Sequence, residues 1–395
     1  MNTNGSKSLP DVLAKTLAEV PRSGIRDFFE VVSAMQDVIS LGIGEPDFDA
    51  PWHIREASIF ALERGATSYT SNLGLLKLRR AISDYVRDTF GLDYAPEEEI
   101  LVAVGVSEAL DLAIRAICNP GDEILYHEPC YVSYGPLIRF AHGVPVMVPT
   151  TVDNEFRLTR ADLEKAVTPR TKALLLNYPN NPTGAALAPE EAKEIAEFVA
   201  EHDLILITDE IYAELTYDRA HVSVASFPGL RERTIFLHGF SKAWAMTGYR
   251  IGYACAPPVL TDAMMKIHQY TMLCAPILSQ EAALEALKNP QADIGEMKTE
   301  YLKRRNFLLN SFAEMGISCF MPRGAFYAFP CIRNTGRTST EFALRLLEQE
   351  KVACVPGTAF GPSGEGFVRC SYATSLDNLK EAVRRMGRFI SATAT

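Results

Sequence analysis

The sequence predicts an α/β fold in which a large domain carries a mostly parallel sheet between helices and a smaller domain is α+β. Two observations support this prediction. Short, wholly apolar runs alternate with helical patterns from about residue 50 to about residue 285, as expected for parallel strands covered on both faces. Beyond that region, short strands and helices follow one another without this alternation. The 395 residues are enough for two or three domains.

Six apolar runs in the first region are predicted strands, because a strand buried on both faces of a sheet has no polar side. They lie at residues 100–104, 123–126, 173–176, 204–208, 234–237 and 251–254. Helical patterns separate several of them. Ser107 is a candidate N-cap for a helix that ends near Asn119, and Pro189 is the expected first residue of another helix.

The second region contains short predicted strands at residues 317–320, 325–329, 352–355 and 367–372, and predicted helices at 301–315, 341–349 and 376–390. We assign residues 49–288 to the large domain and 289–395 to the small α+β domain. Residues 1–48 lack a complete core of their own, so we expect them to pack on the small domain or on a partner subunit. The smaller domain is then built from both ends of the chain.

Composition and charge exclude several classes of protein. The chain has 39 basic and 49 acidic residues, and the net charge of −10 counts against a nucleic-acid or anionic-membrane surface. No apolar run approaches the roughly 20 residues of a membrane span. The eight cysteines form no CxxC pair, so reduced thiols and no metal site are expected. Asp11, Lys15 and Glu19 interrupt any signal peptide, which predicts a cytoplasmic protein.

Polar residues follow four of the predicted strands, and ligands of parallel sheets bind beyond the carboxyl ends of strands. Gly105-Val106-Ser107 follows the first strand, where a helix N-terminus either binds a phosphate or carries an ordinary N-cap. The turn Asn177-Tyr-Pro-Asn-Asn181-Pro-Thr-Gly184 offers the Asn181 amide to a ligand, or uses it only to shape the turn. Neither a P-loop nor a dinucleotide-binding glycine pattern is present.

The other two strand ends carry charged residues. Asp209-Glu-Ile-Tyr212 ends an apolar strand, where a carboxylate needs a cation or proton donor unless it caps a helix. Ser241-Lys242 follows the next strand among apolar residues, which favours the neutral amine that attacks carbonyls, although a lone lysine is more often solvated. Arg250 lies eight residues later and can bind a phosphate through its planar guanidinium.

Together these motifs resemble those of pyridoxal-phosphate (PLP) aminotransferases of fold type I, in the class I/II group that includes bacterial aspartate aminotransferases. The resemblance extends almost from end to end, from Leu41-Gly-Ile-Gly-Glu-Pro-Asp-Phe48 to Phe367-Val-Arg-Cys-Ser-Tyr-Ala-Thr374. Asn-Pro-Thr-Gly, Asp-Glu-Ile-Tyr and Ser-Lys…Gly-Tyr-Arg-Ile-Gly-Tyr lie between them in the family's order. The resemblance implies a sheet of seven strands and PLP as the cofactor.

The resemblance also implies a role for each site residue. Lys242 corresponds to the lysine that holds PLP as an internal aldimine and transfers the Cα proton, and Asp209 to the partner of the pyridine nitrogen. Asn181 and Tyr212 correspond to the partners of the phenolic oxygen. The other implied cofactor contacts are Tyr131 stacked on the ring, Val106, Ser107 and Arg250 at the phosphate, Ser241, and Tyr69 from a second subunit. A phosphate ligand from a second subunit implies a homodimer with shared active sites.

Substrate binding is implied at Arg369, which corresponds to the arginine that binds the α-carboxylate bidentately with help from Gly42 and Asn181. Two positions depart from the family pattern. Gly239 replaces a serine that in many relatives helps to hold the phosphate. Ser107 replaces a lysine that in some bacterial relatives binds an acidic side chain, which weakens aspartate as the preferred donor.

The predicted activity is amino transfer between an L-amino acid and a 2-oxo acid, with 2-oxoglutarate as the expected acceptor, in a ping-pong sequence. The chain resembles the broad aminotransferase A branch, and aspartate, aromatic amino acids, alanine and N-acyl-diaminopimelate donors all stay open. The alternatives with the same fold are a β-lyase for sulfur amino acids and a cyclopropane-forming synthase. A PLP-binding regulator fused to a DNA-binding domain is disfavoured, because the roughly 40 residues before the α/β region are not basic.

Overall fold

The computed structural model describes residues 12–18, 20 and 35–392 of the chain. Twelve strands lie within these residues: β1 (Ile39–Ser40), β2 (Ile100–Ala103), β3 (Glu123–Glu128), β4 (Val144–Pro149), β5 (Thr171–Leu176), β6 (Ile205–Asp209), β7 (Thr234–Gly239), β8 (Gly252–Cys255), β9 (Tyr327–Ala328), β10 (Val352–Ala353), β11 (Val355–Pro356) and β12 (Val368–Ser371). The α-helices described are Lys15–Ala18, Trp52–Glu63, Leu76–Phe90, Gly105–Ile117, Tyr134–Phe140, Arg160–Ala166, Pro189–Glu201, Pro258–Thr271, Ile277–Ala286, Pro290–Glu314, Ser339–Glu350 and Leu376–Ser391.

Seven strands form one sheet in the order β2-β8-β7-β6-β5-β3-β4. Strand β8 is antiparallel to both of its neighbours, and every other neighbouring pair in this sheet is parallel. The helix Pro189–Glu201 connects β5 to its parallel neighbour β6, with proline in its first turn as predicted. The α/β class with a seven-stranded, mostly parallel sheet is therefore confirmed.

Strand β4 was not among the six apolar runs predicted as strands. It lies at the edge of the sheet and pairs with β3 alone among the described strands, and most of its residues are partly or largely exposed. Pro145 and Pro149 lie within it, and proline is tolerated at an edge because it lacks an N–H for a second neighbour. A segment with two prolines and so few buried residues has a sequence as typical of a loop as of a strand.

The two faces of the sheet bury different clusters, because side chains alternate along a strand. Ile100 and Val102 of β2 pack in a core with the helices Trp52–Glu63 and Leu76–Phe90. Leu101 and Ala103 pack on the opposite face in a core that contains Ala109 to Ile117. Both faces are thus covered by helices, which explains why the central strands are apolar throughout.

A second, smaller group of strands lies in the later part of the chain. Strands β11, β12 and β9 form an antiparallel sheet, and β1 pairs in parallel with β10. Leu41 shares a core with Phe312, Phe342 and Phe389 from the three helices of this region. Residues 39–41 are thus joined to the later part of the chain, while the boundaries at residues 48 and 288 stay predictions.

Several sequence expectations were wrong in detail. Residues 317–320 form no strand, and the expected strand at 352–355 is divided at Cys354 into β10 and β11, which pair with different strands. Ser107 is not an N-cap: the helix begins two residues earlier at Gly105, with Val104 at the N-cap position and no side-chain cap. Of the segment 1–48, residues 1–11, 19 and 21–34 lie outside the described structure.

A buried carboxylate connects the two groups of strands. Glu128, the last residue of β3, accepts hydrogen bonds from the backbone N–H of Ser363 at 2.9 Å and from its hydroxyl at 3.1 Å. Gly361, in the loop between β11 and β12, has φ +117, and a Cβ there would lie 2.0 Å from the carboxylate of Glu128. Only glycine therefore allows this close packing.

We expect Gly361→Ala to lower the thermal unfolding temperature more than Gly65→Ala. Both glycines have positive φ, but a Cβ at Gly65 would meet nothing within 4 Å. The Gly65 variant reports the cost of a left-handed backbone alone, about 1–2 kcal/mol. Gly361, at φ 117 and ψ 161, has a backbone conformation essentially confined to glycine, and Gly361→Ala also adds an overpacking cost of roughly 1–3 kcal/mol. Calorimetry of the two variants measures the difference, and equal unfolding temperatures would contradict the packing described here.

Candidate active site

A cavity of about 420 Å³ lies beyond the carboxyl ends of the central strands. Its walls come from both groups of strands, since Asp209 ends β6 and Arg369 lies in β12. Most of the residues singled out in the sequence line this cavity, namely Val106, Ser107, Tyr131, Asn181, Asp209, Tyr212, Ser241, Lys242, Arg250 and Arg369. Gly42 lies beside it through a contact with Arg369, whereas Tyr69 is 83% exposed and does not line the cavity of its own chain.

Lys242 lies three residues after the end of β7 and projects into the cavity. Its Nζ donates a hydrogen bond to the carbonyl oxygen of Gly44 at 2.7 Å. Burial lowers the pKa of Lys242 to about 8, although the nearby carboxylate of Glu45 opposes the shift. A substantial fraction of this amine is therefore neutral near pH 8, and the neutral form is the nucleophile that attacks carbonyl carbons.

Asp209 is 5% exposed, and its carboxylate lines the cavity. It accepts hydrogen bonds from the Tyr134 hydroxyl at 2.9 Å and from the backbone N–H of Ile211 at 3.3 Å. Burial raises its pKa to about 6, and these two donors act in the opposite direction. The sequence had not singled out Tyr134, although it lies only three residues after Tyr131.

Asn177 fixes the turn that carries Asn181. Its side-chain oxygen accepts the N–H of Asn181 at 3.1 Å, and its Nδ2 donates to the carbonyl oxygen of Asp209 at 2.8 Å. Its own N–H donates to Nε2 of His127 at 3.1 Å. One buried side chain thus joins the ends of β5 and β6, a role that the turn pattern alone did not reveal.

Arg369 is 3% exposed, contrary to what is usual for an arginine. Its NH1 donates to Oδ1 of Asn181 at 2.9 Å, and its NH2 donates to the carbonyl oxygen of Gly42 at 2.5 Å. The guanidinium contacts two aromatic rings, 4.5 Å from the centre of Tyr327 and 4.8 Å from that of Phe360.

This arginine lacks a counter-charge among the described residues. No carboxylate forms an ion pair with Arg369, and its Nε has no hydrogen-bond partner in that part of the chain. Burial lowers its pKa, because a charge away from water and without a counter-charge is disfavoured. A buried, planar cation with unused donors is suited to binding a carboxylate.

The start of the helix Gly105–Ile117 and Arg250 form a second candidate anion site. A Cβ at Gly105 would lie 2.7 Å from NH2 of Arg250, and a Cβ at Gly252 would lie 2.6 Å from the N atom of Val106. Glycine at these positions brings the guanidinium close to the free N–H groups of the helix. Such a combination of helix N-terminus and guanidinium suits a phosphate.

At Gly239, where the family resemblance implied a serine for the phosphate, the structure leaves little room for a side chain. A Cβ at this position would lie 2.9 Å from both the Cα of Gly252 and Cγ2 of Val106. A serine there therefore requires the neighbouring backbone to move. In this chain, the position serves the close packing of β7 on β8 and on the helix start.

The residues of the cavity fit PLP. The second anion site suits its phosphate, Asp209 lies where a buried carboxylate can meet a ring nitrogen, and Lys242 offers an amine for its aldehyde. Within residues 12–18, 20 and 35–392, no cluster of His, Cys, Asp or Glu side chains is arranged to hold a metal ion. None of the helices described there is long and apolar enough to cross a lipid bilayer.

Comparison with known proteins identifies the family. The family model for aminotransferase class I and II matches residues 36–386. The chain is 55% identical to a putative aminotransferase, YugH, of Bacillus subtilis over 96% of this chain and 99% of that protein.

Two solved structures are similar in sequence and in backbone. An aromatic aminotransferase from Pyrococcus horikoshii has 46% identity and a TM-score of 0.89, covering 93% of this chain and 99% of the other. An aspartate aminotransferase from Thermus thermophilus with maleate has 38% identity and a TM-score of 0.92, with 95% and 99% covered. The seven-stranded, mostly parallel sheet described above is therefore that of the aspartate aminotransferase fold, and the chain belongs to the class I and II aminotransferases, enzymes that use PLP.

Proposed function

We propose that this aminotransferase moves an amino group between an L-amino acid and a 2-oxo acid, with 2-oxoglutarate as acceptor, in a ping-pong sequence. The observation that carries the proposal is the placement of Lys242 in the same cavity as Asp209 and Arg369. An amine with a lowered pKa, a buried carboxylate and a buried guanidinium without a counter-charge are what such a reaction requires.

We assign the cofactor contacts by their chemistry. When bound, PLP supplies an aldehyde that condenses with amines and a ring that withdraws electrons from the substrate's Cα. Asp209 pairs with the ring nitrogen, and the side chains of Asn181 and Tyr212 donate to the phenolic oxygen. The remaining contacts are Tyr131 on the face of the ring, and Val106, Ser107, Ser241 and Arg250 around the phosphate.

Arg369 orients the substrate by binding its α-carboxylate. The contacts of its guanidinium with Asn181 and Gly42 hold its plane, and the two flanking aromatic rings keep water from it. A substrate held there presents its Cα to Lys242. The neutral amine of Lys242 then takes the Cα proton and acts as the base of the reaction.

The choice of amino donor depends on the rest of the cavity. Apart from Lys242, Arg250 and Arg369, the described residues that line it include no lysine or arginine for a distal carboxylate. Ser107 is uncharged, and similar proteins are named for both aspartate and aromatic amino acids. We therefore infer that donors with an uncharged side chain are preferred over aspartate. The distal carboxylate of 2-oxoglutarate enters the same pocket, and we propose that uncharged hydrogen-bond donors or the partner subunit hold it there.

We further propose a homodimer in which Tyr69 completes the partner's site. Tyr69 and Tyr270 are 83% and 87% exposed, and Met272 is also largely exposed. Asn72 links the two segments by donating from its side-chain amide to the carbonyl oxygen of Leu273 at 2.7 Å. Exposed aromatic and apolar side chains that lie together favour contact with another subunit.

Lys242→Ala is expected to lower kcat by roughly 10³-fold or more, because it removes both the nucleophile and the base. Lys266→Ala, which changes a surface lysine paired with Asp262, is the control and should leave kcat unchanged. Borohydride reduction followed by mass spectrometry should find PLP attached to the Lys242 peptide of the native protein alone. Full transaminase activity in the Lys242 variant would overturn the proposal.

A panel of amino donors with 2-oxoglutarate tests the preference. We expect kcat/KM to be higher for aromatic or alanine donors than for aspartate, and Ser107→Lys to raise the relative kcat/KM of aspartate by about tenfold or more. A strong response of the native protein to aspartate alone would contradict this expectation. Pyruvate and ammonia released from cystathionine without any oxo acid would instead indicate a β-lyase.

Subunit mixing tests the shared site. Lys242→Ala and Tyr69→Ala homodimers each lack one component in both sites, whereas a mixed dimer contains one complete site. After subunit exchange, the mixture should recover about a quarter of native activity, because half of the dimers are mixed and each has one intact site. Activity equal to the mean of the two variants alone, or a monomer in sedimentation analysis, would contradict the proposal.

A further inference from the structure

The hydroxyl of Tyr134 makes a contact that none of the roles assigned above explains. Tyr134 is the first residue of the helix Tyr134–Phe140 and is fully buried. Its ring lies edge-on to Tyr131, with centres 5.7 Å apart, and its hydroxyl reaches Oδ2 of Asp209 at 2.9 Å. The tyrosine therefore contacts both the carboxylate and Tyr131, the residue assigned to the face of the ring.

This contact is the only side-chain hydrogen bond to the Asp209 carboxylate among the described residues. The Ile211 N–H is a longer backbone donor at 3.3 Å, and Asn177 donates to the backbone carbonyl of Asp209 instead. Lys242 donates to Gly44 rather than to this carboxylate. The Tyr134 hydroxyl is therefore the only side-chain donor among the described residues that stabilises the ionised form of Asp209.

The surroundings of Asp209 act on its charge in both directions. Burial raises the pKa of its carboxyl group to about 6, whereas the bond from Tyr134, the Ile211 N–H and the proximity of His238 lower it. The carboxylate of Glu210 raises the pKa of Asp209, as burial does, and Lys242 also lies close enough to Asp209 to interact with its charge. A donor to a carboxylate favours its ionised form, so removing the phenol oxygen raises the pKa further.

We propose that Tyr134 is a positioning residue that keeps Asp209 ionised and directed at the ring nitrogen of the cofactor. The inference rests on the proposed role of Asp209. It assigns to Tyr134 a function in the cofactor's electronics, through the carboxylate and without contact with substrate. A purely structural hydroxyl, by contrast, affects the stability of the fold equally at every pH.

The pH dependence of PLP binding distinguishes the two roles. Cofactor binding through an ionised Asp209 competes with protonation of the free carboxylate, so affinity falls as the pH drops through its pKa. With a pKa of about 6, this effect weakens binding only about twofold at pH 6 in the native protein. Tyr134→Phe removes a hydrogen bond to the carboxylate, and such bonds to charged groups lower a pKa by about one to two units. The variant therefore loses PLP affinity at a higher pH than the native protein.

The experiment measures the dissociation constant of PLP by equilibrium dialysis between pH 6 and 8.5 for native protein, Tyr134→Phe and Tyr94→Phe. Tyr94 is the matched control, because it is buried and its hydroxyl has no partner in the described structure. The ratio of each variant to native protein cancels the titrations of PLP and Lys242 that they share. For Tyr134→Phe we expect a ratio within twofold of one at pH 8.5 and about five to fifty at pH 6.

A ratio for Tyr134→Phe that stays constant with pH, or that matches Tyr94→Phe, overturns the inference. If Tyr134→Phe does not fold, Tyr134→Leu removes the same hydroxyl and must give the same pH-dependent ratio. Asp209→Asn separates this inference from the proposed function. If it leaves PLP affinity unchanged, the role of Asp209 fails, whereas a loss with Asp209→Asn and a constant ratio for Tyr134→Phe rejects Tyr134 alone.

Discussion

The central constraint on this structure is the burial of Lys242, Asp209 and Arg369 in one cavity without an ion pair among them. Buried charges without counter-charges destabilise a folded protein, so the surrounding backbone has to compensate for them. The ends of the strands do so with fixed carbonyl and N–H groups, such as those of Gly44 and Ile211. These backbone groups offset only part of the cost of burying the charges. The pKa values of Asp209, Lys242 and Arg369 are therefore still shifted towards the neutral forms. In the proposed function, a cofactor and a carboxylate substrate supply the missing charges.

The sequence predicted the parts of the fold and site that depend on burial and local pattern. Six strands of the large sheet were recognisable because they are apolar and buried, and β4 was missed because it is mostly exposed and contains two prolines. The lining of the cavity by Lys242 and Asp209 follows from the rule that strand ends form sites. Long-range contacts leave no local signal. The hydrogen bonds of Asn177 with His127 and Asp209, and the contact of Tyr134 with Asp209, join segments that are far apart in the chain.

Space determines the site as much as charge does. Gly105 and Gly252 allow Arg250 and the helix start to approach each other, and Gly239 fills a place where the family resemblance implied a serine. In a comparison of sequences alone, glycine in place of serine at position 239 is only the loss of a hydroxyl group. The structure explains it by the neighbouring glycine backbone and by Val106, which leave no room for a side chain. The absence of side chains at these three glycines therefore allows the close packing around the candidate anion site.

The hydrogen bond from Arg369 to Gly42 has a consequence for the order in which the protein is made. The residues assigned to the cofactor from this chain lie between positions 106 and 250, in the middle of the sequence. The arginine that we propose for the substrate lies in β12, and its backbone acceptor follows β1, near the opposite end. Because a ribosome releases the chain from its first residue onward, the cofactor-facing segment emerges long before the arginine. The capacity to hold a cofactor can therefore arise before the capacity to hold a substrate.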